Sequence, residues 1–462
     1  MTTNTSPLST PLAAIILAAG QGTRMKSSLH KVLHPIAGKP MLLHLLDTVD
    51  TLGITQSVVV VGKGREQVEA AVAGRPVAIA VQDPQHGTGH AVQQAEGALG
   101  NFIAQHPDGD VLILYGDVPL VPAATMTAMV ARLQADDKPA IVVLGFEPED
   151  TLKYGRVIAD ADGVIQKMVE HKDATEAERA VRLCNSGLMA VKASDLFALL
   201  ARVTDDNAAG EYYLVDIVNI AREDGRKSAV VKTNPFDVTG INSRAELATA
   251  EAQWQQFKRE EAMDGGVTLR APETVFFSWD TEIANDVTIE PHVVFGPGVK
   301  VARGSTIRAF SHLEGATVGE NCEVGPYARL RPGAVMEEKS KVGNFVEMKK
   351  AVLGKGAKAN HLTYLGDVTV GAGANIGAGT ITCNYDGYFK YPTVIGEGAF
   401  IGSNSSLVAP VNIGAGAIVG AGSVVTQDVD ADALGLTRAK QEGKEGWAKR
   451  FRDVSAAKKA GK

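Results

Sequence analysis

A turn of small residues followed by two cations is the feature nearest the N-terminus that could bind a phosphate. Residues 17–25 read LAAGQGTRM and directly follow an apolar run. Small residues let backbone N–H groups approach an anion, and Arg24 and Lys31 add two positive charges seven residues apart. A glycine-rich turn alone is a weak signal, and the competing interpretation is a tight turn with surface charges. Its placement at the end of a strand favours the phosphate site.

A second group of reactive side chains lies between residues 331 and 367. It contains cations, a carboxylate, an imidazole and a phenol: Arg331, Glu347, Lys349, His361 and Tyr364. None of these is needed to fill an apolar core. A histidine titrates near neutral pH and can take a proton from an attacking nucleophile, although a single histidine could equally form only structural hydrogen bonds. The group predicts a site for acid–base chemistry in the C-terminal half.

Alternating strands and helices are predicted to position the first group. Five short apolar runs are predicted as strands, with amphipathic segments between most of them: Ala13–Ala18, Ser57–Gly62, Val77–Gln82, Val111–Tyr115 and Ala140–Phe146. This alternation predicts a mainly parallel sheet covered by helices on both faces, in a domain over residues 1–242. Residues 243–263 are rich in Ala, Glu and Gln, contain no Gly or Pro, and predict a linker helix that ends at Gly265 and Gly266.

A period of six residues governs the sequence beyond residue 264. Six apolar residues fall at steps of six: Ile395, Ile401, Leu407, Ile413, Val419 and Val425. The same step links Val318 to Met348, and a repeat this regular predicts a parallel β-helix in which every sixth side chain points into the prism. The domain of these repeats is predicted over residues 264–462, with a Lys-rich tail from Lys440 onward. The period slips between Ile381 and Val394, which predicts an extruded loop able to carry binding groups.

The overall composition excludes several classes of function. A net charge of −7 and a pI of about 5.9 leave no global positive field, which argues against a nucleic-acid partner. Cys184, Cys322 and Cys383 lie far apart, so neither a disulfide framework nor a zinc site is expected. The apolar run Leu12–Ala19 is too short for a membrane span and lacks a basic lead-in, so we expect a cytoplasmic protein without membrane insertion.

Both halves carry motifs that resemble those of one enzyme family. In the N-terminal half these are LAAGQGTRM at 17–25, YGDVPL at 115–120, YGR at 154–156 and NSG at 185–187. In the C-terminal half they are RPG at 331–333, NFVEMKK at 344–350 and HLTYLGD at 361–367. The combination covers nearly the whole chain and resembles the bifunctional N-acetylglucosamine-1-phosphate uridyltransferase and glucosamine-1-phosphate N-acetyltransferase family. One departure is His30, where the family often has proline before the lysine.

The resemblance implies a Rossmann-like α/β nucleotidyltransferase domain followed by a left-handed parallel β-helix of hexapeptide repeats. It implies acetyl transfer from acetyl-CoA to glucosamine-1-phosphate, then uridylyl transfer from UTP to N-acetylglucosamine-1-phosphate with release of pyrophosphate. The product, UDP-N-acetylglucosamine, supplies peptidoglycan and lipopolysaccharide precursors. The expected partners are these small molecules and further copies of the chain in a homotrimer, with acetyltransferase sites between neighbouring prisms.

For the uridyltransferase half, the resemblance implies Mg²⁺ held by Asp117 and Asn242. Arg24 and Lys31 are the implied catalytic cations, because crowded phosphate charge must be neutralised during transfer. The implied UTP and sugar-nucleotide contacts are Leu17, Ala18, Gly20, Lys31, Gln82, Gly87, Thr88, Gly155, Glu170, Asn185 and Asn242.

For the acetyltransferase half, the resemblance implies His361 as the general base toward the glucosamine amine. We expect Glu347 to orient its imidazole. The implied sugar-phosphate contacts are Arg331, Lys349, Tyr364, Asn375 and Lys390. The implied acetyl-CoA contacts are Ala378, Asn384, Tyr385, Ser403, Ala421 and Arg438.

Two other interpretations stay open at this point. One is a monofunctional sugar-nucleotide pyrophosphorylase whose β-helix is only structural, and the other is a non-catalytic binding or assembly protein that reuses both folds. The reactive group around His361 argues against the first. The presence of Arg24, Lys31, Asp117 and Asn242 argues against the second, because a non-catalytic protein would be free to lose them.

Overall fold

The chain folds into two compact units, which divide after Gln255. The computed structural model describes residues 10–151 and 153–461, so residues 1–9 of the predicted first domain and Lys462 at the end of the second lie outside the described residues. Within the described residues, no helix is both long and apolar enough to cross a membrane.

The N-terminal unit is an α/β domain. Its sheet strands are β1 Leu12–Ala18, β2 Gln56–Val61, β3 Val77–Val81, β4 Asp110–Tyr115, β5 Ile141–Phe146, β6 Arg156–Ala159, β7 Ile165–Val169, β8 Cys184–Lys192 and β9 Ala229–Thr233. Its helices are α1 Met41–Asp50, α2 Arg65–Val72, α3 Thr88–Gln93, α4 Glu96–Gln105, α5 Ala123–Leu133, α6 Glu176–Arg179, α7 Ala193–Leu200 and α8 Asp216–Glu223. Short 3-10 helices span Thr23–Met25, Lys31–Leu33 and Pro235–Val238, and a small hairpin joins Pro35–Ile36 to Lys39–Pro40.

The sheet has the order β9-β5-β8-β4-β1-β2-β3, with the β6–β7 hairpin attached to β8. β1 pairs in parallel with β2 and β4, which places the carboxyl ends of these strands at one edge. β8 runs antiparallel to both β4 and β5. The predicted mainly parallel sheet is therefore confirmed, with β8 and the hairpin as its antiparallel members.

Alternate side chains of β1 enter two separate cores, one on each face of the sheet. Ala13, Ile15 and Leu17 belong to the core that includes residues of α4, α7 and α8. Leu12 and Ile16 belong to the opposite core, with residues of α1, α2 and α5. Because both faces are covered, every residue of β1 is buried, which accounts for its continuous apolar sequence.

The C-terminal unit is a parallel β-helix of short strands. One sheet contains Thr268–Leu269, Thr288–Ile289, Thr306–Ile307, Glu323–Val324, Lys341–Asn344, Lys358–His361, Asn375–Ile376, Phe400–Ile401, Ile418–Val419 and Leu434–Gly435. The other contains Glu282–Ile283, Val294–Phe295, Lys300–Val301, His312–Leu313, Ala316–Val318, Arg329–Leu330, Ala334–Met336, Glu347–Leu353, Tyr364–Val370, Ile381–Cys383, Thr393–Ile395, Ser406–Val408, Val411–Ile413 and Val424–Val425. A 3-10 helix spans Pro272–Thr274.

The repeat of six residues defines the interior of this β-helix. Ile395, Ile401, Leu407, Ile413, Val419 and Val425 are all buried. Each coil pairs in parallel with its neighbours, as in the pairing of Phe400 with Ile418 and Ile401 with Val419. The predicted repeat architecture is confirmed, because the buried positions are those that the six-residue step selects.

Two segments interrupt or flank the repeats. Where the period slips, residues 384–391 leave the prism as a small hairpin, closed by a bridge between Tyr385 and Lys390. Two helices complete the described chain, α9 at Arg244–Asp264 and α10 at Trp447–Ala460. The helix α10 is exposed along its whole length and lies in the Lys-rich tail that follows the repeats.

Replacing Ile401 by alanine should destabilise the β-helix, because Ile401 is 0% exposed while the outward-facing Ile418 is 49% exposed. We expect Ile401→Ala to cost about 2–5 kcal/mol through lost burial and a residual cavity. The matched control Ile418→Ala should cost less than about 1 kcal/mol. Thermal unfolding of the full chain, followed by circular dichroism, measures both. Equal losses in the two variants would contradict the assigned interior.

Candidate active sites

A cavity of about 370 Å³ lies at the carboxyl ends of β1, β3 and β4 in the N-terminal unit. Ligands of α/β proteins bind at this edge because loops from neighbouring strands converge there. Its lining includes the predicted residues Leu17, Ala18, Gly20, Lys31, Gln82, Gly87, Thr88 and Asp117. Arg24 is exposed on the 3-10 helix Thr23–Met25 and does not belong to this lining.

Gly22 lets the small-residue turn pack against Lys31. It has φ +66°, and a Cβ at this position would come within 2.5 Å of Lys31 Cβ. Both the backbone conformation and the close approach therefore require glycine. The packing places the stem of Lys31 along the turn, and Lys31 is one of the residues that line the cavity.

The ammonium of Lys31 joins two oxygen donors from distant parts of the sequence. It forms an ion pair with Asp117 and lies 3.2 Å from Asn242 Oδ1. Backbone bonds hold these two residues near one another, since the N–H of Ile241 donates to the carbonyl of Asp117 at 2.9 Å. A carboxylate and an amide oxygen that converge on one cationic atom also fit a small divalent cation, which prefers oxygen ligands.

The loop after β3 is shaped by hydrogen bonds around Gly87. Gln82 is buried, and its side-chain N–H donates to the carbonyl of Gly87 at 2.9 Å. Gly87 has φ +107°, and a Cβ there would lie 2.7 Å from the carbonyl oxygen of Tyr212. The Thr88 hydroxyl accepts a bond from the N–H of Leu214 at 3.0 Å. Hydrogen bonds thus join Gln82 to Gly87 and Thr88 to Leu214.

Gly155, Glu170 and Asn185 form a second group in the same unit. The N–H of Asn185 donates to the carbonyl of Gly155 at 2.9 Å, and a Cβ on Gly155 would meet both carboxylate oxygens of Glu170 at 3.3 Å. Burial and the nearby Asp216 raise the pKa of Glu170. Burial and Asp173 raise the pKa of Asp216 to about 6.

Three polar residues that line the cavity were not identified as site residues from the sequence. Gln85, Tyr115 and Glu211 all line the cavity. Gln85 donates to the carbonyl of Ala19, which fixes the end of the small-residue turn. Tyr115 was recognised only as part of the YGDVPL motif. Glu211 comes from a loop more than ninety residues beyond the rest of the lining in sequence, so no local pattern pointed to it.

In the C-terminal unit, several predicted residues form one column along a corner of the β-helix. The column contains Asn344, His361, Ala378, Ser403 and Ala421. Each of the first four members accepts a hydrogen bond at its backbone carbonyl from the next coil. The donor is the N–H of the residue directly after the next member of the column, and the four distances are 3.0, 3.3, 2.7 and 2.8 Å in order. Arg438 closes the series by donating to the carbonyl of Ala421 at 2.8 Å. Four predicted acetyl-CoA residues therefore lie in line with the predicted base.

The side chain of His361 is held by Asn344 rather than by Glu347. His361 Nδ1 lies 2.7 Å from Asn344 Oδ1. Glu347 instead forms ion pairs with Arg331 at 2.8 Å and with Arg329 at 3.8 Å. The expectation that Glu347 orients the imidazole is wrong for this structure, because its carboxylate is engaged by the two guanidinium groups.

The predicted sugar-phosphate cations meet on the larger sheet of the β-helix. Lys349 follows Glu347 on the strand Glu347–Leu353, and the proximity of Lys390, with the charge of Arg331, lowers the pKa of Lys349. This mutual repulsion is typical of a site that receives an anion. Tyr364 lies near Lys349, because Lys349 pairs with Gly366 across neighbouring strands. A Cβ on Gly366 would come within 2.5 Å of the Tyr364 hydroxyl.

Asn375 is not on the same face as these cations. It belongs to the strand Asn375–Ile376 in the other sheet, where it pairs with Lys358. Within the extruded hairpin, Asn384 donates to Asp367 Oδ2 at 2.5 Å, while Tyr385 is 59% exposed. One chain therefore presents its predicted acetyltransferase residues on more than one face.

Comparisons with known proteins assign both halves. A family model described as MobA-like NTP transferase domain matches residues 14–209, and one described as bacterial transferase hexapeptide (six repeats) matches residues 392–427. A bifunctional protein GlmU from Sphingopyxis alaskensis is 72% identical over 98% of this chain and 99% of its own length. Proteins of the same name from Novosphingobium aromaticivorans and Rhizorhabdus wittichii are 67% and 65% identical, covering 98% and 97% of this chain and 100% and 98% of their own lengths.

Acid should destabilise the N-terminal unit through His30, which is 6% exposed and whose ring nitrogens are buried without a hydrogen-bond partner among the described residues. Burial, with Lys31 and His34, lowers the pKa of His30 from 6.5. Below pH 6.5 the imidazole of His30 therefore binds a proton more readily in the unfolded chain than in the folded chain. The free energy of unfolding falls as the pH drops below 6.5, by up to about 1.4 kcal/mol per pH unit.

The variant His30→Leu should remove this contribution. Its melting temperature should fall less than that of the wild type between pH 7.5 and 5.5, as measured by differential scanning calorimetry. Parallel pH dependences in the two proteins would contradict the prediction, because they would show that His30 binds its proton equally well in the folded and the unfolded chain.

Proposed function

This chain belongs to the bifunctional GlmU family, and we propose from that membership how its residues divide between two reactions. It is a nucleotidyltransferase and an acyltransferase of UDP-N-acetylglucosamine synthesis. Relatives match it over nearly their full length, which disfavours a monofunctional pyrophosphorylase with a passive β-helix. We propose residues 1–242 as the uridyltransferase domain, 243–263 as the linker and 264–462 as the acetyltransferase domain.

The observation that carries the proposal is the presence of two separate groups of reactive residues in one chain. Lys31 and Asp117 line the cavity of the N-terminal unit, and Lys31 also contacts Asn242 outside that lining. His361 and Asn344 lie in the corner column of the C-terminal unit. Each group fits one half of the reaction sequence, and neither needs residues of the other.

In the uridyltransferase reaction, an oxygen of the sugar 1-phosphate attacks the α-phosphorus of UTP and pyrophosphate leaves. The chain supplies charge neutralisation and alignment for this step. Lys31 lies at the cavity, and we propose that it contacts the phosphates, with Arg24 approaching from the exposed turn. Gln82, Gly87 and Thr88 would bind the nucleotide, while Gly155, Glu170 and Asn185 would bind the N-acetylglucosamine moiety.

We propose Mg²⁺ as the metal of this reaction, held by Asp117 and Asn242. Their two oxygens fit its preference, and phosphate oxygens and water would supply the other ligands. When bound, the ion neutralises charge on the phosphates. Lys31 contacts both donors, and it would then turn toward the phosphates.

In the acetyltransferase reaction, the amine nitrogen of glucosamine-1-phosphate attacks the thioester carbonyl of acetyl-CoA. A C–N bond forms, the C–S bond breaks, and the CoA thiolate leaves. His361 would accept the proton that the nitrogen loses and pass it to the departing sulfur. Arg331, Lys349 and Lys390 would bind the phosphate, with Tyr364 and Asn375 at the sugar. Ala378, Asn384, Tyr385, Ser403, Ala421 and Arg438 would contact acetyl-CoA.

We further propose that the enzyme is a cytoplasmic homotrimer in which a neighbouring chain completes the acetyltransferase site. His361 and Tyr385 are exposed in a single chain, whereas acyl transfer requires a site that excludes water. The separation of Asn375 from the cations on another face supports the same arrangement. Closed symmetric oligomers are the usual way to bring such faces together.

Asp117→Ala should abolish uridylyl transfer alone. Removing the carboxylate should lower the rate of pyrophosphate release from UTP and N-acetylglucosamine-1-phosphate by roughly 100-fold or more. CoA release from acetyl-CoA and glucosamine-1-phosphate should stay within about twofold, which makes it the internal control for folding. Loss of both activities would contradict independent sites.

His361→Ala should show the reverse pattern. Without the general base, acetyl transfer should fall by about 100- to 10,000-fold, while pyrophosphate release is retained. The same two assays measure both reactions on each variant. Acetyl transfer that survives this substitution at more than about a tenth of the wild-type rate would remove His361 from the proposed role.

A further inference from the structure

We infer that Asn344 is the positioning residue that sets the tautomer and orientation of His361 for acetyl transfer. The inference rests on the proposed function, in which His361 is the general base. It goes further by naming the ring nitrogen that acts. It also assigns to an uncharged amide the role that sequence analysis gave to Glu347.

The geometry of the pair fixes the tautomer. Asn344 presents its amide oxygen to His361 Nδ1 at 2.7 Å. An amide oxygen only accepts hydrogen bonds, so Nδ1 must carry the proton of the neutral ring. The lone pair of the imidazole is then on Nε2, which is the nitrogen free to take a proton from the amine.

Parallel strand pairing holds Asn344 and His361 at equivalent positions of two neighbouring coils. Asn344 lies directly beside His361 in the register of the strands Lys341–Asn344 and Lys358–His361. The N–H of Leu362 donates to the carbonyl of Asn344 at 3.0 Å, and the hydroxyl of Thr363 donates to the carbonyl of His361 at 2.7 Å. The backbones are fixed, so the length of the side chain at 344 decides whether it reaches the ring.

The corner that follows Asn344 and His361 has the same left-handed backbone conformation in both coils. Phe345 has φ +58° and Leu362 has φ +52°, so each reactive residue is followed by one in the left-handed conformation. Such conformations carry a cost of about 1 kcal/mol or more for residues other than glycine and persist where the surrounding structure enforces them. The two turns match, which aligns the side chains that precede them.

The charged groups near the ring do not replace Asn344. His361 shares a cavity of about 400 Å³ with Arg308, Glu323, Lys341 and Lys358. Glu323 forms ion pairs with Arg308 and, at 3.1 Å, with Lys341, so its carboxylate is already engaged. A neutral partner has a chemical advantage over a carboxylate here, because it orients the ring without favouring the protonated form that cannot act as a base.

Two substitutions at one position separate orientation from charge. Asn344→Leu keeps the approximate volume and removes the acceptor. We expect its kcat for acetyl transfer to fall roughly 10- to 100-fold through misorientation of the base, with KM for both substrates changed by less than about threefold. Asn344→Asp keeps the acceptor and adds a negative charge. It should retain most of the kcat at high pH, with the acidic limb of the pH profile moved up by about one unit.

The whole chain is used throughout, and two controls accompany the pair. Asn412→Leu makes the same substitution at an amide that bonds Asp428 in another coil, and it should leave acetyl transfer unchanged. Pyrophosphate release by the N-terminal unit reports the integrity of each preparation. If Asn344→Leu proves poorly folded, the pH profile of Asn344→Asp decides alone.

The outcomes distinguish the inference from the proposal beneath it. Wild-type kcat and pH profile in both Asn344 variants, with His361→Ala inactive, would overturn the role of Asn344 and leave the general base intact. A change confined to KM would also overturn it, because that would make Asn344 a binding residue. Activity that survives His361→Ala would instead refute the proposed base.

Discussion

Parallel strand pairing in a fixed register is the constraint on which both reactive centres depend. In the N-terminal sheet, the pairing of β1 with β2 and β4 brings loops that are far apart in sequence to one edge, where Lys31 meets Asp117. In the β-helix, the pairing of successive coils stacks Asn344 on His361. Parallel pairing therefore brings polar side chains together at the strand ends of the N-terminal sheet and along one corner of the β-helix.

The two centres use that constraint to meet different electrostatic demands. Transfer of a uridylyl group crowds phosphates together, and in the proposed function Lys31, Asp117 and Asn242, which are far apart in sequence, would meet that demand. For acetyl transfer, the proposed base is the imidazole of His361, which the neutral amide of Asn344 contacts in the corner column. The carboxylate of Glu347 forms ion pairs with Arg331 and Arg329 instead of contacting the imidazole.

The sequence predicted the architecture of both halves because each has a strong period. The continuous apolar run of β1 identified a strand buried on both faces, and the step from Ile395 to Val425 identified the interior of the β-helix. The contacts of single side chains were harder to predict, because they depend on the register in which strands pair. Glu211 reaches the cavity from a distant loop, and only the pairing of two coils shows that Asn344, not Glu347, contacts His361. The roles assigned to individual site residues remain predictions.

A coupled reaction tests most directly whether one chain carries both chemistries in sequence. Purified protein is given glucosamine-1-phosphate, UTP and acetyl-CoA labelled in its acetyl group, and the sugar nucleotide formed is isolated. If the two centres act in turn, the product is labelled UDP-N-acetylglucosamine with one acetyl group per uridine. It should form only when both UTP and acetyl-CoA are present. Unlabelled sugar nucleotide, or labelled N-acetylglucosamine-1-phosphate that is never uridylylated, would contradict the account.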